Sequence, residues 1–300
     1  MKWIKKYSAM STATRHNIAS VVLTVFLLAV LVGVKKTPFG AVLVSNTSSE
    51  CYNVPVIMYH SVLDNPSRRS KYVITPDELK RDLAYLKEKG YTTVNTSDLV
   101  SFCENGTPLP EKSIIITFDD GYYNNYSYIF PVLKETKQKA VLSVVGIYAD
   151  AFSREGETLN NNYSHATWEQ IEEMSNTGLV EIQNHSYDMH NIAVRKGNLR
   201  NRGEDEALYR ENLIKDTQRN SELIKKATGK SPLAYTYPFG AVSAESKQII
   251  ENLGFKATYG CEEGINVITR NKECLYDIKR FNRDGTKSTE EFFKKIIGEV

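Results

Sequence analysis

From residue 51 onward, hydrophobic and polar positions follow two alternating rhythms. Short runs rich in β-branched and aromatic residues predict strands, among them VPVIMYH (54–60), SIIITF (113–118) and AVLSVVG (140–146). Between such runs lie segments whose apolar residues recur three and four apart, the helical period. The clearest is TPDELKRDLAYLKEKG: Thr75 stands as N-cap, Pro76 opens the first turn, Glu78 completes a capping box and Gly90 ends it. Leu79, Leu83 and Leu86 give that helix one apolar face. Further helices are expected at TSDLVSFCENG, at TWEQIEEMSNTG, from about Glu206 to Gly229, at SAESKQIIENLG and after Ser288-Thr289-Glu290-Glu291. Strand-like runs at YTTV, VEIQNHS, LAYTYPFG, FKATYG and CLYDIKRFN complete the alternation. The pattern argues for an α/β fold of parallel strands and crossover helices, either a barrel or a doubly wound sheet. In both, functional residues lie beyond the C-terminal ends of the strands.

The first 50 residues break this pattern. Ile18 to Val34 is an apolar run of 17 residues interrupted only mildly by Ser20 and Thr24. Lys35-Lys36 follows it where small residues would mark cleavage of a signal peptide, which favours a retained transmembrane anchor. Lys2, Lys5, Lys6 and Arg15 precede the run, so the N-terminus is expected in the cytoplasm and the rest outside. The expected organisation is a basic segment (1–17), an anchor (18–34), a polar linker (35–50) and the α/β domain (51–300). The corresponding location is the cell membrane, or the exterior if the segment is cleaved.

Charge separates along the same boundary. Residues 1–50 carry six Lys/Arg against Glu50 alone, whereas the remainder holds 32 basic and 35 acidic residues. A mildly acidic domain argues against nucleic-acid binding, which requires a basic footprint. Cys51, Cys103, Cys261 and Cys274 all fall on the expected outer side, where disulfides persist. Without CxxC spacing they do not suggest a zinc site. A Cys261–Cys274 staple and free buried thiols are both open.

Polar residues collect at four strand ends: His60 after VPVIMY, Asp119-Asp120 after IIITF, His185 and His190 in NHSYDMH, and the YPFG turn after LAYT. Side chains alternate across a strand, so two neighbouring aspartates face one cleft only if the chain turns there, and Gly121 permits a turn. A carboxylate with two imidazoles is a ligand set for zinc or a similar divalent ion. Other readings stay open. Paired aspartates after a strand also cap helices, and a lone histidine is commonly a hydrogen-bonded core or surface residue.

TFDDG, the histidine pair in HSYDMH and the YPFG turn together resemble the polysaccharide deacetylases of carbohydrate esterase family 4, with their NodB homology domain. The resemblance runs from about Val54 to the C-terminus. It implies a distorted (β/α)7-type barrel that removes N-acetyl, sometimes O-acetyl, groups from glycans with one divalent metal, zinc foremost, cobalt or nickel as alternatives. It assigns Asp120, His185 and His190 to the metal, Asp119 to the base that deprotonates the attacking water, and the Phe239 backbone N–H to the oxyanion. Many relatives take the acid for the departing amine from a late leucine-rich strand, but this chain has no histidine after His190. Subfamilies acting on exopolysaccharides carry MYH on an N-terminal strand, which VPVIMYH matches, and that makes His60 the acid. Many relatives also place an arginine where Thr236 stands. Arg280 in IKRFNR is the candidate replacement, the other reading being a surface salt bridge.

Tyr122, Tyr123, Tyr187 and Tyr237 are candidates for contact with sugar rings, and Trp168 is as readily a core residue. The expected partner is an N-acetylated glycan polymer, with the catalytic domain acting as a monomer. An O-acetyl esterase and a glycan-binding module with a decayed site are the alternatives.

Overall fold

The computed structural model describes residues 51–154 and 158–298, with Ser11, Thr12 and Thr14. Two compact units divide the chain, Met1–Ser48 and Ser49–Val300, and the second contains every strand described below. The expected anchor over 18–34 and the linker over 35–50 lie outside the described residues. Among the described residues no helix is long and apolar enough to cross a membrane.

Seven strands form the central parallel sheet: β1 (Val56–Tyr59), β2 (Ser113–Phe118), β3 (Ala140–Val144), β4 (Val180–Asn184), β5 (Ala234–Thr236), β6 (Ala257–Tyr259) and β7 (Phe281–Asn282). Their spatial order is β6-β5-β4-β3-β2-β1-β7, and every pairing is parallel. From β1 to β6 sequence order and spatial order coincide, without the reversal that defines a doubly wound sheet. A parallel bridge from Tyr259 at the end of β6 to Ile278, just before β7, links the two margins of the curled sheet. The strand Thr92–Thr93 adds to the start of β2, and Tyr52–Val54 pairs antiparallel with Asn266–Ile268.

Local chemistry accounts for the elements. Pro55 lacks a backbone donor and splits the VPVIMYH run, leaving Val54 to end the strand Tyr52–Val54 and Val56 to begin β1. The Thr75 and Glu78 capping box starts the helix Pro76–Glu88, and Leu79, Leu83 and Leu86 are buried beneath it. The helix Glu206–Thr228 ends at Gly229 in a left-handed cap. Between Tyr123 and Lys137 the chain forms a π-helical turn at Asn125–Ile129 before the helix Phe130–Thr136. One short helix, Gly146–Phe152, carries no clear periodic signal. The late CLYDIKRFN run becomes a 3-10 turn at Lys272–Leu275 and only two strand residues.

A buried charge pair supports the first strand. Asp82 accepts hydrogen bonds from Arg283 Nε at 2.7 Å, Tyr59 Oη at 3.0 Å and Thr289 Oγ1 at 2.6 Å. Asp82 and Arg283 are essentially inaccessible, so the network joins β1 and the end of β7 to two helices in a region where neither charge meets water.

No Cys261–Cys274 staple forms, and all four cysteines are free. Cys261 lines the cleft described below, whereas Cys274 shares the Thr269 carbonyl with Cys103, at 3.7 and 3.1 Å. Different neighbours hold the two expected partners.

Candidate functional site

Parallel register gathers the polar residues at one rim. Tyr59 lies opposite Phe118, Val144 opposite Asn184, and Thr236 opposite Tyr259. The residues that follow therefore emerge side by side: His60, Asp119-Asp120, His185 and Tyr237. They line a cleft of about 530 Å³ with Phe239, Cys261 and His190.

Backbone conformation aims the carboxylates. Asp120 has φ +72°, and Gly121 behind it also has φ +72°. This left-handed pair ends the strand alternation, so Asp119 and Asp120 both line the cleft. A Cβ on Gly121 would lie 3.1 Å from Val144 Cγ1. Ser186 (φ +71°) and Phe239 (φ +58°) also occupy the left-handed region, which disfavours L-residues. Backbone held in this region at Asp120, Ser186 and Phe239 must be stabilised by the structure around it.

The two aspartates have different partners. Asp120 Oδ1 lies 3.5 Å from His185 Nε2 and 3.2 Å from His190 Nε2. His185 Nδ1 donates to the Thr236 carbonyl at 2.8 Å, so the neutral ring carries its lone pair on Nε2, the nitrogen that faces Asp120. Asp120 Oδ1 is buried without a hydrogen-bond partner, so lone pairs converge there with no proton donor assigned. That donor set fits a divalent cation, with all three ligand atoms within 4.8 Å of one another, and it is the one such group found among the described residues. Burial raises the Asp120 carboxyl, but His185 and His190 outweigh it and hold it well below the carboxylate range. Burial, then the neighbouring His185, lowers His190 to about 4.

Asp119 instead faces Arg280. Nη1 and Nη2 donate to its two oxygens at 2.8 and 2.9 Å, while Nε donates to the Gly260 carbonyl at 2.7 Å. Arg280 is 0% exposed, which excludes the surface salt bridge. Burial raises the Asp119 carboxyl, yet Arg280 reverses the effect and leaves it lowered. Thr236, in the position expected of an arginine, turns its hydroxyl to Ser143 and serves the site through its carbonyl.

His60 lines the cleft near both carboxylates. Burial lowers its pKa, and Asp119 and Asp120 oppose that shift. Phe239 is 38% exposed, and its ring lies 4.3 Å from that of His190. Tyr122 and Tyr237 line the cleft; Tyr123 and Tyr187 do not. Tyr187 is held away by its hydroxyl bond to Asp150 at 2.9 Å and by Arg219 stacked 3.6 Å over its ring. Tyr123 packs against Tyr126, and the Trp168 indole N–H is committed to Asp150 at 2.8 Å.

The sequence profile of the polysaccharide deacetylase family matches residues 106–258, just over half of the chain. The chain belongs to this family. A poly-β-1,6-N-acetyl-D-glucosamine N-deacetylase of Escherichia coli K12 is 27% identical over 259 residues, covering 80% of this chain and 38% of that protein. The chain thus spans well under two thirds of that relative's length. A Staphylococcus aureus protein of the same name is 24% identical over 68% of this chain and 66% of its own length. Among solved structures, a de-N-acetylase from Aggregatibacter actinomycetemcomitans superposes with TM-score 0.67 at 27% identity, over 79% of this chain and 97% of its own. IcaB from Ammonifex degensii superposes with TM-score 0.62 at 25% identity, over 77% of this chain and 91% of its own.

In this deacetylase-family chain, the residues that steady the histidine loop carry little sequence signal. Asp216 accepts from the backbone N–H groups of Tyr187 and Asp188 at 2.8 and 2.6 Å. Asn220 donates to Asn184 Oδ1 and to the Val144 carbonyl, both at 2.9 Å, and Asn184 Oδ1 also accepts from Ser186 N–H at 2.7 Å. Asp216 and Asn220 sit in a long charged helix where polar residues are ordinary. Only the helix's position beneath the loop gives them this role.

Proposed function

We propose that the chain is a metal-dependent de-N-acetylase acting on an N-acetylhexosamine polymer. The observation that carries this reading is the division between adjacent aspartates, Asp120 beside two histidines and Asp119 in the grip of Arg280. Asp120, His185 and His190 would hold the cation, for which zinc suits the donors, with cobalt and nickel as alternatives. When bound, that ion supplies a Lewis acid for the acetamide carbonyl.

The protein's own groups perform the proton transfers. Asp119, kept ionised and oriented by Arg280, takes a proton from the attacking water. The Phe239 backbone N–H donates to the oxyanion formed at the carbonyl. His60, which lines the cleft with Asp119 and Asp120, gives a proton to the departing amine. Tyr122 and Tyr237 serve as cleft contacts for the substrate.

The relatives' names favour poly-β-1,6-N-acetylglucosamine as the polymer. In this reading the segment 18–34 anchors the chain in the membrane, with the catalytic domain monomeric and outside. The test is metal analysis of the purified chain together with acetate release from β-1,6-linked N-acetylglucosamine oligomers, chitin oligomers, peptidoglycan and an O-acetylated glycan. Bound divalent metal and acetate from an N-acetylated polymer are expected. A chain with neither would be a glycan-binding module, and acetate from the O-acetylated glycan alone would make it an esterase.

A further inference from the structure

One wall of the cleft is left unused by the chemistry above. Beyond His60 the chain forms the short parallel pair Ser61–Val62 and Val73–Ile74, with a strap of residues between them. The strap is fixed at several points. Ser61 N–H donates to the Tyr72 carbonyl at 3.2 Å and Gly285 N–H to the Ser70 carbonyl at 3.0 Å. Arg69 Nε donates to the Gly285 carbonyl at 2.8 Å, and Arg69 also pairs with Glu78 at 2.6 Å. Gly285 approaches so closely that a Cβ there would lie 2.1 Å from the Val73 carbonyl oxygen. The strap therefore presents its side chains from a rigid base.

Three of the groups on this wall have unused binding capacity. Tyr72 lines the cleft with its side of the strap, remains 48% exposed, and meets the His60 ring edge-on at 4.9 Å. Lys71 Nζ lies 5.4 Å from the Tyr72 ring centre. Asn282 commits its amide nitrogen to the Lys71 carbonyl at 2.8 Å, while its Oδ1 is buried at the cleft wall without a hydrogen-bond partner. An orphaned buried acceptor is unfavourable until a donor arrives.

Aromatic surface, acceptor and cation together match a pyranose ring. Its C–H face packs on Tyr72, one hydroxyl donates to Asn282 Oδ1, and another oxygen accepts from Lys71. We propose that Tyr72, Lys71 and Asn282 form a subsite for the sugar unit next to the one that reacts, on the His60 side of the cleft. This rests on the reading of the cleft as a deacetylase acting on an N-acetylhexosamine polymer.

The test compares the metal-loaded full chain with its Tyr72→Ala and Asn282→Ala variants on the methyl glycoside of N-acetylglucosamine, a single unit that cannot reach the subsite, and on the β-1,6-linked pentamer. Wild type is expected to favour the pentamer in kcat/KM. Each variant should reduce that pentamer-to-single-unit ratio by about tenfold, mainly through KM, and Tyr72→Trp should preserve it. A strap that only supports the fold would lower both substrates alike, and an unchanged ratio in well-folded variants overturns the subsite. As a second readout, indole emission of the Tyr72→Trp, Asp119→Asn double variant should respond to pentamer; no response would also count against it. If wild type releases no acetate from the pentamer while a different polymer is deacetylated, the choice of polymer fails, and the ratio is measured on an oligomer and a single unit of the accepted one. If no polymer yields acetate, the deacetylase reading and the subsite fall together.

Discussion

Arg280 and Asp119 form a two-pronged ion pair, 2.8 and 2.9 Å, with both side chains removed from water. The planar guanidinium fixes both carboxylate oxygens at once, and its remaining Nε–H is anchored on Gly260. Lysine has a single point donor and cannot reproduce this fork. Arg280→Lys should therefore lower kcat by roughly 10- to 100-fold with a smaller change in KM, since a misplaced base affects the transition state most. Steady-state kinetics on an N-acetylated oligomer decides it; near-normal turnover would remove Arg280 from the machinery.

Asp119→Asn and His185→Ala should separate proton transfer from cation binding. The first is expected to retain metal while kcat falls by roughly 10²- to 10⁴-fold. The second should lose both metal and activity, because one of three converging ligand atoms is gone. Metal content of the purified variants, measured beside acetate release, gives the comparison.

His60 is assigned to the leaving group, so its loss should depend on what leaves. His60→Gln should reduce amide hydrolysis by about 100-fold or more, because an amine departs poorly without a proton. Aryl acetates expel a stable phenolate, so the same variant should slow them much less. Equal losses on both substrates would point to damage of the site rather than removal of an acid.

Asp82→Ala should destabilise the fold by about 3–5 kcal/mol, since it leaves the Arg283 guanidinium buried without its carboxylate. Urea unfolding measures this directly. A loss under about 1 kcal/mol would mean that water reaches Arg283 and the pair is weakly coupled to the fold.

Asp216 offers a pH test of the clamp beneath the histidine loop. Burial lifts its carboxyl to about 6 despite the two backbone N–H groups it accepts from. In the unfolded chain this group titrates near ~3.9. The folded state thus keeps a proton that the unfolded state has released, so this contribution is full below about pH 4 and is lost as pH rises through about 6. Asp216→Asn cannot titrate. Relative to that variant, wild type should lose on the order of 1–3 kcal/mol of stability between pH 4 and pH 7. Paired urea midpoints at the two pH values give the result, and a pH-independent difference would contradict it.

Short-range rules written in the sequence determined much of this architecture. The capping box at Thr75 and Glu78, the Gly229 stop and the alternation of strands and helices are decided by neighbouring residues, and the structure retains each. The same holds for most of the rim: His60, Asp119-Asp120 and His185 directly follow strands, and parallel register carries strand ends to one side, whereas His190 reaches the cleft from the loop beyond His185. Tertiary structure decided what depends on distant partners. Arg280 reaches Asp119 only because the run before β7 returns beside β1, and Tyr187 turns from the cleft because Asp150 and Arg219 hold it. Cys274 meets Cys103 rather than Cys261 for the same reason. Sequence spacing fixes which local conformation a residue adopts, whereas the contacts of a side chain depend on how separate elements pack, and that information is spread over the whole chain.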